Sequence, residues 1–236
     1  SSLSRAVFER ARQHLPERLR EKVQTITGTQ RPSHGIVVAA DECRADMIIV
    51  GARGTGPVER ATLGSVARAV IHSAKIPVLV VRPRIAKRLG KGLRILAATD
   101  GSDASKDAVR LLRQFTWPDG SVGRTLTVIE SLANTVPDWL VEEMRAHEAE
   151  SVGLGQFEQR EREKQQLHAN LVRWCGELPS IFGGQDPLVV DGHPSKRILD
   201  AIDSERADLV VVGARDLGPV GKFLLGSTSE HVLAHA

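Results

Sequence analysis

The chain has 236 residues, of which 41% are hydrophobic and 26% are charged, and its formal net charge is +3. Aromatic residues make up only 3% and tyrosine is absent, so a base-stacking surface for nucleic acid is not expected, and the small net charge argues against a polyanion-binding face. No apolar run is long enough for a membrane span. Two widely separated cysteines, Cys43 and Cys175, are typical of a reducing cytoplasm. The composition therefore predicts a soluble cytoplasmic protein with no nucleic-acid partner, no membrane partner and no disulfide framework.

The first part of the chain alternates helical and strand patterns. Apolar periodicity and turn residues predict a helix over 3–22 interrupted at Pro16, a short strand over 23–27, a helix over 34–43, a buried strand over 47–50, a helix over 65–73 and a second buried strand over 77–81. The basic segment 82–92 is predicted to be a connector.

The second part begins a new series of elements. The patterns predict a strand over 93–98, a helix over 104–115 with Ser102 or Asp103 as N-cap, a strand over 126–129, a long helix within 139–174 broken near Gly153 and Gly155, a strand over 187–190, a helix over 196–204 and a strand over 209–212. Strands that alternate with helices indicate parallel βαβ crossovers, and hence an open α/β sheet covered by helices on both faces.

An internal repeat divides the chain. Residues 45–74 recur without a gap as residues 207–236, at a constant offset of 162, and 14 of the 30 aligned positions are identical. Unrelated segments would share about two. The repeat predicts two tandem domains, at 1–86 and 91–236. Each is expected to be incomplete in this sequence: the first lacks the opening strands that 93–129 supply to the second, and the second lacks a counterpart of the strand at 77–81.

A glycine-rich loop follows the buried strand in both copies. In the first copy it reads Gly51-x2-Gly54-x9-Gly64-Ser65 and leads into a helix. Free backbone N–H groups and the helix dipole favour a phosphate at such a helix start, and glycines let the backbone approach an anion closely. The spacing matches neither the lysine-containing P-loop nor the dinucleotide fingerprint GxGxxG.

The second copy departs from this pattern at one loop position. It reads Gly213-x2-Asp216-x9-Gly226-Ser227, so a carboxylate replaces a glycine. At about 5 Å from a phosphate charge and an effective dielectric of about 20, a carboxylate costs about 3 kcal/mol. That is roughly a hundredfold in affinity. We therefore expect the second copy to bind an anion weakly or not at all.

The segment MIIVGARGTGPVERATLGSVARAVIHSAKIPVLVVRP, residues 47–83, is similar throughout to the end of a universal stress protein domain, and ILAATDGSDASKDAVRLL, residues 95–112, resembles the opening strand and first helix of that family. The resemblance covers nearly the whole chain as two domains in tandem. It implies a Rossmann-like, three-layer α/β/α fold, similar to the adenine nucleotide alpha hydrolases, with a five-stranded parallel sheet in each domain. It also implies a cytoplasmic stress response regulated by nucleotide binding or by dimerisation. Family members pair through their last strand, and tandem members can form that pseudo-dimer within one chain.

The resemblance assigns the glycine loop to the phosphates of ATP and an aspartate at the first strand end, here Asp100, to the nucleoside. Ser229 keeps a hydroxyl, two residues after the loop serine, that Ala67 lacks. The expected ligand is ATP, with or without Mg²⁺, and the expected partners are an adenine nucleotide, the other domain of the same chain and a second chain in a homodimer. The expected nucleotide-binding residues are Val50, Gly51, Arg53, Gly54, Gly64, Ser65, Val66, Ala98, Thr99, Asp100, Val128, Gly213, Gly226, Ser227, Thr228 and Ser229.

Several alternatives stay open. The chain can instead be a dimerisation or scaffold protein that binds no nucleotide. Enzymatic activity is expected to be at most slow ATP hydrolysis, because no base or arginine that would position a water is identifiable. Ser195, in His193-Pro194-Ser195, either caps a helix or contacts a ribose. His231 and His235 share a helix face, but no third metal ligand is evident, so neither a metal site nor a catalytic residue is predicted.

Overall fold

The computed structural model describes residues 2–52, 63–82, 92–130, 155–214 and 225–236. Its helices are α1 (Ser2–Gln13), α2 (Glu17–Arg20), α3 (Pro32–Glu42), α4 (Ser65–Ser73), α5 (Asp103–Arg110), α6 (Gly155–Cys175), α7 (Pro194–Ser204) and α8 (Ser227–His235). Its strands are β1 (Ile48–Gly51), β2 (Val78–Val81), β3 (Arg94–Ala98), β4 (Val122–Ile129), β5 (Leu188–Asp191) and β6 (Leu209–Val211). Short 3₁₀ turns occupy Leu111–Gln114 and Ser180–Phe182.

The strands form two parallel sheets. In the first unit β1 pairs with β2, and in the second unit four strands lie in the order β5-β4-β3-β6. Parallel neighbours require crossover connections, which the intervening helices provide. The predicted fold class, an open parallel α/β sheet, is confirmed.

The four-stranded sheet is covered on both faces, as expected for a parallel sheet. On one face Ile95 and Ala97 of β3 pack in a buried cluster with Val109 of α5 and Cys175 of α6. On the opposite face Leu96 and Ala98 pack with residues of α7 and α8, including Val232. Successive side chains of one strand point to opposite faces, so the uninterrupted apolar sequence of β3 serves both helix layers.

The internal repeat extends upstream of the 30 residues first aligned. Helices α3 and α7 have the same length and are separated by the same offset of 162, as are α4 and α8. Arg44 and Arg206, also counterparts, follow α3 and α7 with φ of 52° and 51°, and they are the non-glycine residues with positive φ in the described ranges. Such residues are uncommon, so this shared detail shows that the duplicated unit includes the helix before the loop strand.

The prediction of a strand over residues 23–27 was wrong. These residues form no strand, and Ile26 is 53% exposed. The counterpart segment of the second unit leads into β5, which receives its hydrogen bonds from β4. The described part of the first unit contains no counterpart of β4. An alternating pattern without a neighbouring strand has no partner for its backbone groups.

Other boundaries differ in ways that packing explains. β4 begins at Val122, four residues before the predicted start, and its first five residues pair with β3. Its Gly123 lies under a ring, since an added Cβ would come within 2.7 Å of Phe182. The helix predicted over 104–115 ends as α-helix at Arg110 and continues as a 3₁₀ turn. The long helix begins at Gly155 among the described residues, and the earlier part of that prediction lies outside them.

Candidate functional site

Two adjacent strands of the second unit end at the same edge of the sheet. β3 is followed by Thr99 and Asp100, and β6 by Val212 and Gly213. Ala97 pairs with Val211, so Thr99 lies opposite Gly213 where the strands finish. In open parallel sheets this edge is where ligands usually bind. The structure thus brings the predicted site residues Asp100 and Gly213 to one edge of the sheet.

A network of buried hydroxyl groups fixes the turn after β3. The Thr99 Oγ1 and Ser105 Oγ atoms lie 2.8 Å apart, and Ser105 Oγ donates to the Ser102 carbonyl oxygen at 2.9 Å. Thr99 Oγ1 must therefore be the donor to Ser105, and it also accepts from the Gly101 N–H at 3.1 Å. Thr127 Oγ1 donates to the Thr99 carbonyl oxygen at 2.9 Å. Because its hydroxyl proton is used inside the protein, Thr99 shapes the edge and does not donate to a ligand.

Asp100 presents a carboxylate at the exposed end of β3. One carboxylate oxygen accepts from the Ser102 N–H at 3.0 Å and from Ser102 Oγ at 2.6 Å. Partial burial acts to raise the pKa of Asp100, but the hydrogen bonds from Ser102 and its neighbours together lower that pKa below its ordinary value. The group is therefore ionised at neutral pH. An ionised carboxylate is a hydrogen-bond acceptor, suited to the hydroxyl groups of a ligand.

Gly213 packs closely against α5 and accepts a hydrogen bond from α8. A Cβ at this position would lie 2.8 Å from Ser105 Cα and 2.9 Å from Ser105 N, which are backbone atoms at the start of α5. The carbonyl oxygen of Gly213 accepts from Ser229 Oγ at 2.7 Å, and Ser229 is buried in the first turn of α8. Glycine is therefore required here by packing between β6 and α5, independently of any ligand.

In the first unit, the residues on either side of the loop meet. Ala52 N–H donates to the Val81 carbonyl oxygen at 2.9 Å, and Gly64 N–H donates to the Ala52 carbonyl oxygen at 2.8 Å. Ala52, Leu63 and Ala67 form a small buried cluster. The Gly64–Ala52 hydrogen bond closes the loop at its base and places the start of α4 beside the end of β1.

Both helices that follow the loops begin without a side-chain cap. The N-cap residues are Gly64 for α4 and Gly226 for α8, both with extended φ and ψ, and neither helix has a side-chain cap hydrogen bond. The first N–H groups of a helix have no partner within the helix. An uncapped start beside a strand end is therefore a suitable place for an anionic group.

The structure describes most of the predicted site residues and divides them between the units. The predicted site residues of the first unit lie at the end of β1 or at the start of α4. Those of the second unit lie where the strands of its sheet end or at the start of α8. They are Val50, Gly51, Gly64, Ser65 and Val66 in the first unit and Ala98, Thr99, Asp100, Val128, Gly213, Gly226, Ser227, Thr228 and Ser229 in the second. Arg53, Gly54 and Asp216 lie outside the described residues. Nucleotide binding by these residues stays a prediction.

Two residues that hydrogen-bond to the turn after β3, Ser105 and Thr127, were not predicted from the sequence, and the predicted role of Ser195 differs from the observed one. Ser105 could have been found as the third residue after the Ser102 cap, whose side chain accepts from the Ser105 N–H. Thr127 is a polar residue in the middle of a buried strand. The interpretation of Ser195 as a cap was wrong: the N-cap of α7 is His193, no side chain caps the helix, and Ser195 Oγ lies 3.0 Å from His193 Nδ1.

The described ranges hold neither a cluster of metal-ligating side chains nor a helix suited to a membrane span. They contain no group of three or more His, Cys, Asp or Glu side chains placed to hold a metal ion. The His231 and His235 rings stack at 4.2 Å between centroids, and His235 Nδ1 lies 2.8 Å from the His231 carbonyl oxygen. None of the described helices combines the length and apolarity needed to cross a bilayer.

The model of the universal stress protein family matches residues 3–82 and 93–236. The chain belongs to the universal stress protein family. A family member from Thermus aquaticus is 36% identical over 145 residues, which cover 60% of this chain and 91% of the relative. One from Mycolicibacterium smegmatis is 26% identical over 204 residues, covering 81% of this chain and 59% of the relative. The chain thus spans less than two thirds of this second relative. The two matched segments agree with a tandem arrangement, while the domain limits at 1–86 and 91–236 stay predictions.

Solved structures show that the tandem fold is shared. A functionally unknown protein from Pseudomonas aeruginosa aligns with a TM-score of 0.60 and 17% identity, over 98% of this chain and 74% of that protein. A universal stress protein from Archaeoglobus fulgidus aligns with a TM-score of 0.53 and 21% identity, over 99% of this chain and 77% of that protein. Both alignments extend over the two units, so the likeness concerns the fold of each.

Proposed function

We propose that this universal stress protein is a cytoplasmic regulator that binds ATP or another adenine nucleotide through the loop of its first unit. The observation that supports the proposal best is the start of α4. Its N-cap Gly64 closes the loop onto Ala52, Ser65 is exposed in the first turn, and no side chain caps the helix. The sequence between carries the intact spacing Gly51-x2-Gly54-x9-Gly64-Ser65.

The second unit is proposed to bind weakly or not at all. Its sheet edge offers the ionised carboxylate of Asp100 for the hydroxyl groups of a nucleoside. Its loop, however, carries Asp216 where the first has Gly54, and a carboxylate close to the phosphates repels them. Ser229 also gives its hydroxyl proton to the Gly213 carbonyl oxygen, so it cannot donate that proton to a phosphate at the same time.

Magnesium is proposed to arrive with the nucleotide. The described residues provide no cluster of three or more ligating side chains at either helix start, and Mg²⁺ is commonly held by substrate phosphates, waters and one or two carboxylates. Turnover of ATP, if it occurs, is expected to be slow because no residue is identified that would position an attacking water.

A scaffold without a nucleotide is the second candidate function. It is favoured by two observations: α4 and α8 contact each other across the units, and Gly213 is explained by packing alone. On this view the glycine loops are inherited connections between a strand and a helix, and pairing of the units is the function.

Nucleotide stoichiometry distinguishes the two. The full-length protein is purified, denatured, and its released nucleotide is measured by ion-pair chromatography. We expect a single adenine nucleotide per chain. Gly54→Asp, which gives the first loop the residue of the second, should weaken binding about a hundredfold. The reciprocal variant Asp216→Gly should leave the first site loaded and increase binding by the second.

Gly184→Ala is the matched control, because an added Cβ at Gly184 meets no atom within 4 Å and this residue belongs to neither loop. It should retain the wild-type nucleotide content. If the wild-type protein releases none, and acquires none after incubation with Mg-ATP, the nucleotide proposal is wrong and the scaffold function remains.

A further inference from the structure

The two units contact each other through equivalent helices. Arg68 Nη1 of α4 lies 3.7 Å from Glu230 Oε1 of α8, and His72 Nε2 lies 4.0 Å from the same oxygen. Arg82, which follows β2, donates from Nη2 to the carbonyl oxygens of Leu233 and Ala234 at 2.7 and 3.0 Å. These carbonyls belong to the last turn of α8, where a cation is favoured by the helix dipole.

Arg68 and Glu230 are counterparts in the repeat. They are separated by the same offset of 162 as the loops, and each is the fourth residue of its helix. In an interface with two-fold symmetry, the residue on the axis meets its own copy. The contact between Arg68 and Glu230 is the one expected if a pseudo-two-fold axis relates α4 to α8 and passes this position.

The charge at this axis position has diverged between the units. Among the 30 aligned positions of the repeat, it is the one at which an acidic residue faces a basic counterpart. Of the two equivalent buried positions in these helices, one is retained as Val70 and Val232, and the other changes from Ala67 to Ser229 without a change in charge. The reversal of charge thus falls where the two units meet.

We propose that the Arg68–Glu230 contact is a specificity device, which makes each unit pair with the unlike unit and disfavours pairing with the like unit of a second chain. Two first units joined in the same way would bring two Arg68 side chains together, with two His72 rings nearby, and α4 itself carries no carboxylate. Two second units would oppose two Glu230 carboxylates. Like charges in contact select against the wrong partner, so the surface formed by α4 and Arg82 fits α8 of the unlike unit.

The half-exposed side chains limit the size of the effect. Arg68 and Glu230 are 50% and 44% exposed, and exposed ion pairs contribute little in water. The charge pair therefore favours the pairing of unlike units over the pairing of like units, while most of the affinity in either pairing comes from other contacts. The inference concerns pairing and holds whether or not either loop binds a nucleotide.

A charge-swap cycle in the full chain tests the inference. Arg68→Glu, Glu230→Arg and the double variant are compared by hydrogen exchange of the amides in α4 and α8, at low salt. Each single reversal puts like charges at the axis and should raise the opening constant of these helices by about three- to tenfold. The double variant restores opposite charges and should return to within about twofold of the wild type.

The matched control is Arg110→Glu, which makes the same charge change at a residue whose partner, Asp107, lies one turn away on the same helix. It should leave exchange in α4 and α8 unchanged. The single-variant effects should shrink in about 0.5 M salt, where exposed charges are screened. The inference would be overturned if the single variants exchange amide hydrogens in α4 and α8 at the wild-type rate. It would also be overturned if the increases in the opening constant from the two single variants add in the double variant.

Discussion

The packing of Gly213 against the start of α5 allows a direct test of the site geometry. In Gly213→Ala the new Cβ would lie 2.8 Å from Ser105 Cα and 2.9 Å from Ser105 N. Carbon atoms prefer separations of about 3.5–4.0 Å, so β6 and α5 must move apart by several tenths of an ångström. Both contacts are with backbone atoms, which cannot rotate away as the end of a side chain can.

Overpacking of this kind typically destabilises a protein by about 1–3 kcal/mol. For a chain of this size, about 2–4 °C per kcal/mol is expected, or roughly 2–12 °C in Tm. The assay is thermal unfolding followed by circular dichroism, with Gly184→Ala as the control because an added Cβ meets no atom there. A Gly213→Ala protein that unfolds at the temperature of the wild type and the control would refute the packing argument.

Two further predictions concern titratable groups. The folded-state pKa of Asp100 is lowered, so its ionised form stabilises the fold; this contribution is present above about pH 4 and is lost as the pH falls through the lower folded pKa. In Asp100→Asn, the fall in Tm as the pH is lowered below about 4 should therefore be smaller than in the wild type, as measured by thermal unfolding over a pH series. An equal fall in both proteins would contradict a stabilising role of the hydrogen bonds to the carboxylate. Burial raises the pKa of the Cys175 thiol, despite a hydrogen bond to Thr125, whereas Cys43 is exposed. A thiol reagent at neutral pH should label Cys43 in the folded protein and reach Cys175 only on unfolding; equal labelling rates would contradict this.

Local patterns were sufficient to predict most elements. The helix predicted over 65–73 has the observed limits of α4, because Gly64 precedes it and the segment 74–77 ends it with a proline. Short apolar runs bounded by glycine or proline predicted β1 and β2, but these strands are not buried as predicted, since Ile49 of β1 is 65% exposed. The duplication also indicated which loops are equivalent, because an alignment without insertions or deletions pairs each residue of one unit with one residue of the other.

Features that depend on distant residues could not be predicted in this way. Whether 23–27 forms a strand depends on a neighbouring strand, which its own sequence does not reveal. The position of Ser105 after the Ser102 cap was visible in the sequence, but its packing against Gly213 exists only once α5 and β6 are assembled. The contact of Arg68 with Glu230 requires the relative placement of the two units. In each case the information lies in pairs of residues far apart in sequence.

The tight fit between Gly213 and α5 has a consequence for how this loop motif is used as a diagnostic signature. In the second unit the first glycine of the signature, Gly213, is needed for the packing of β6 against α5, whether or not that unit binds a ligand. The second position of the signature is Gly54 in one copy and Asp216 in the other, so the two copies differ there in sequence. On the proposed nucleotide function, the first glycine indicates that a unit shares the fold, whereas the second position indicates whether its loop accepts a phosphate. A search that gives the second position more weight would then separate units that only share ancestry from units that are proposed to bind.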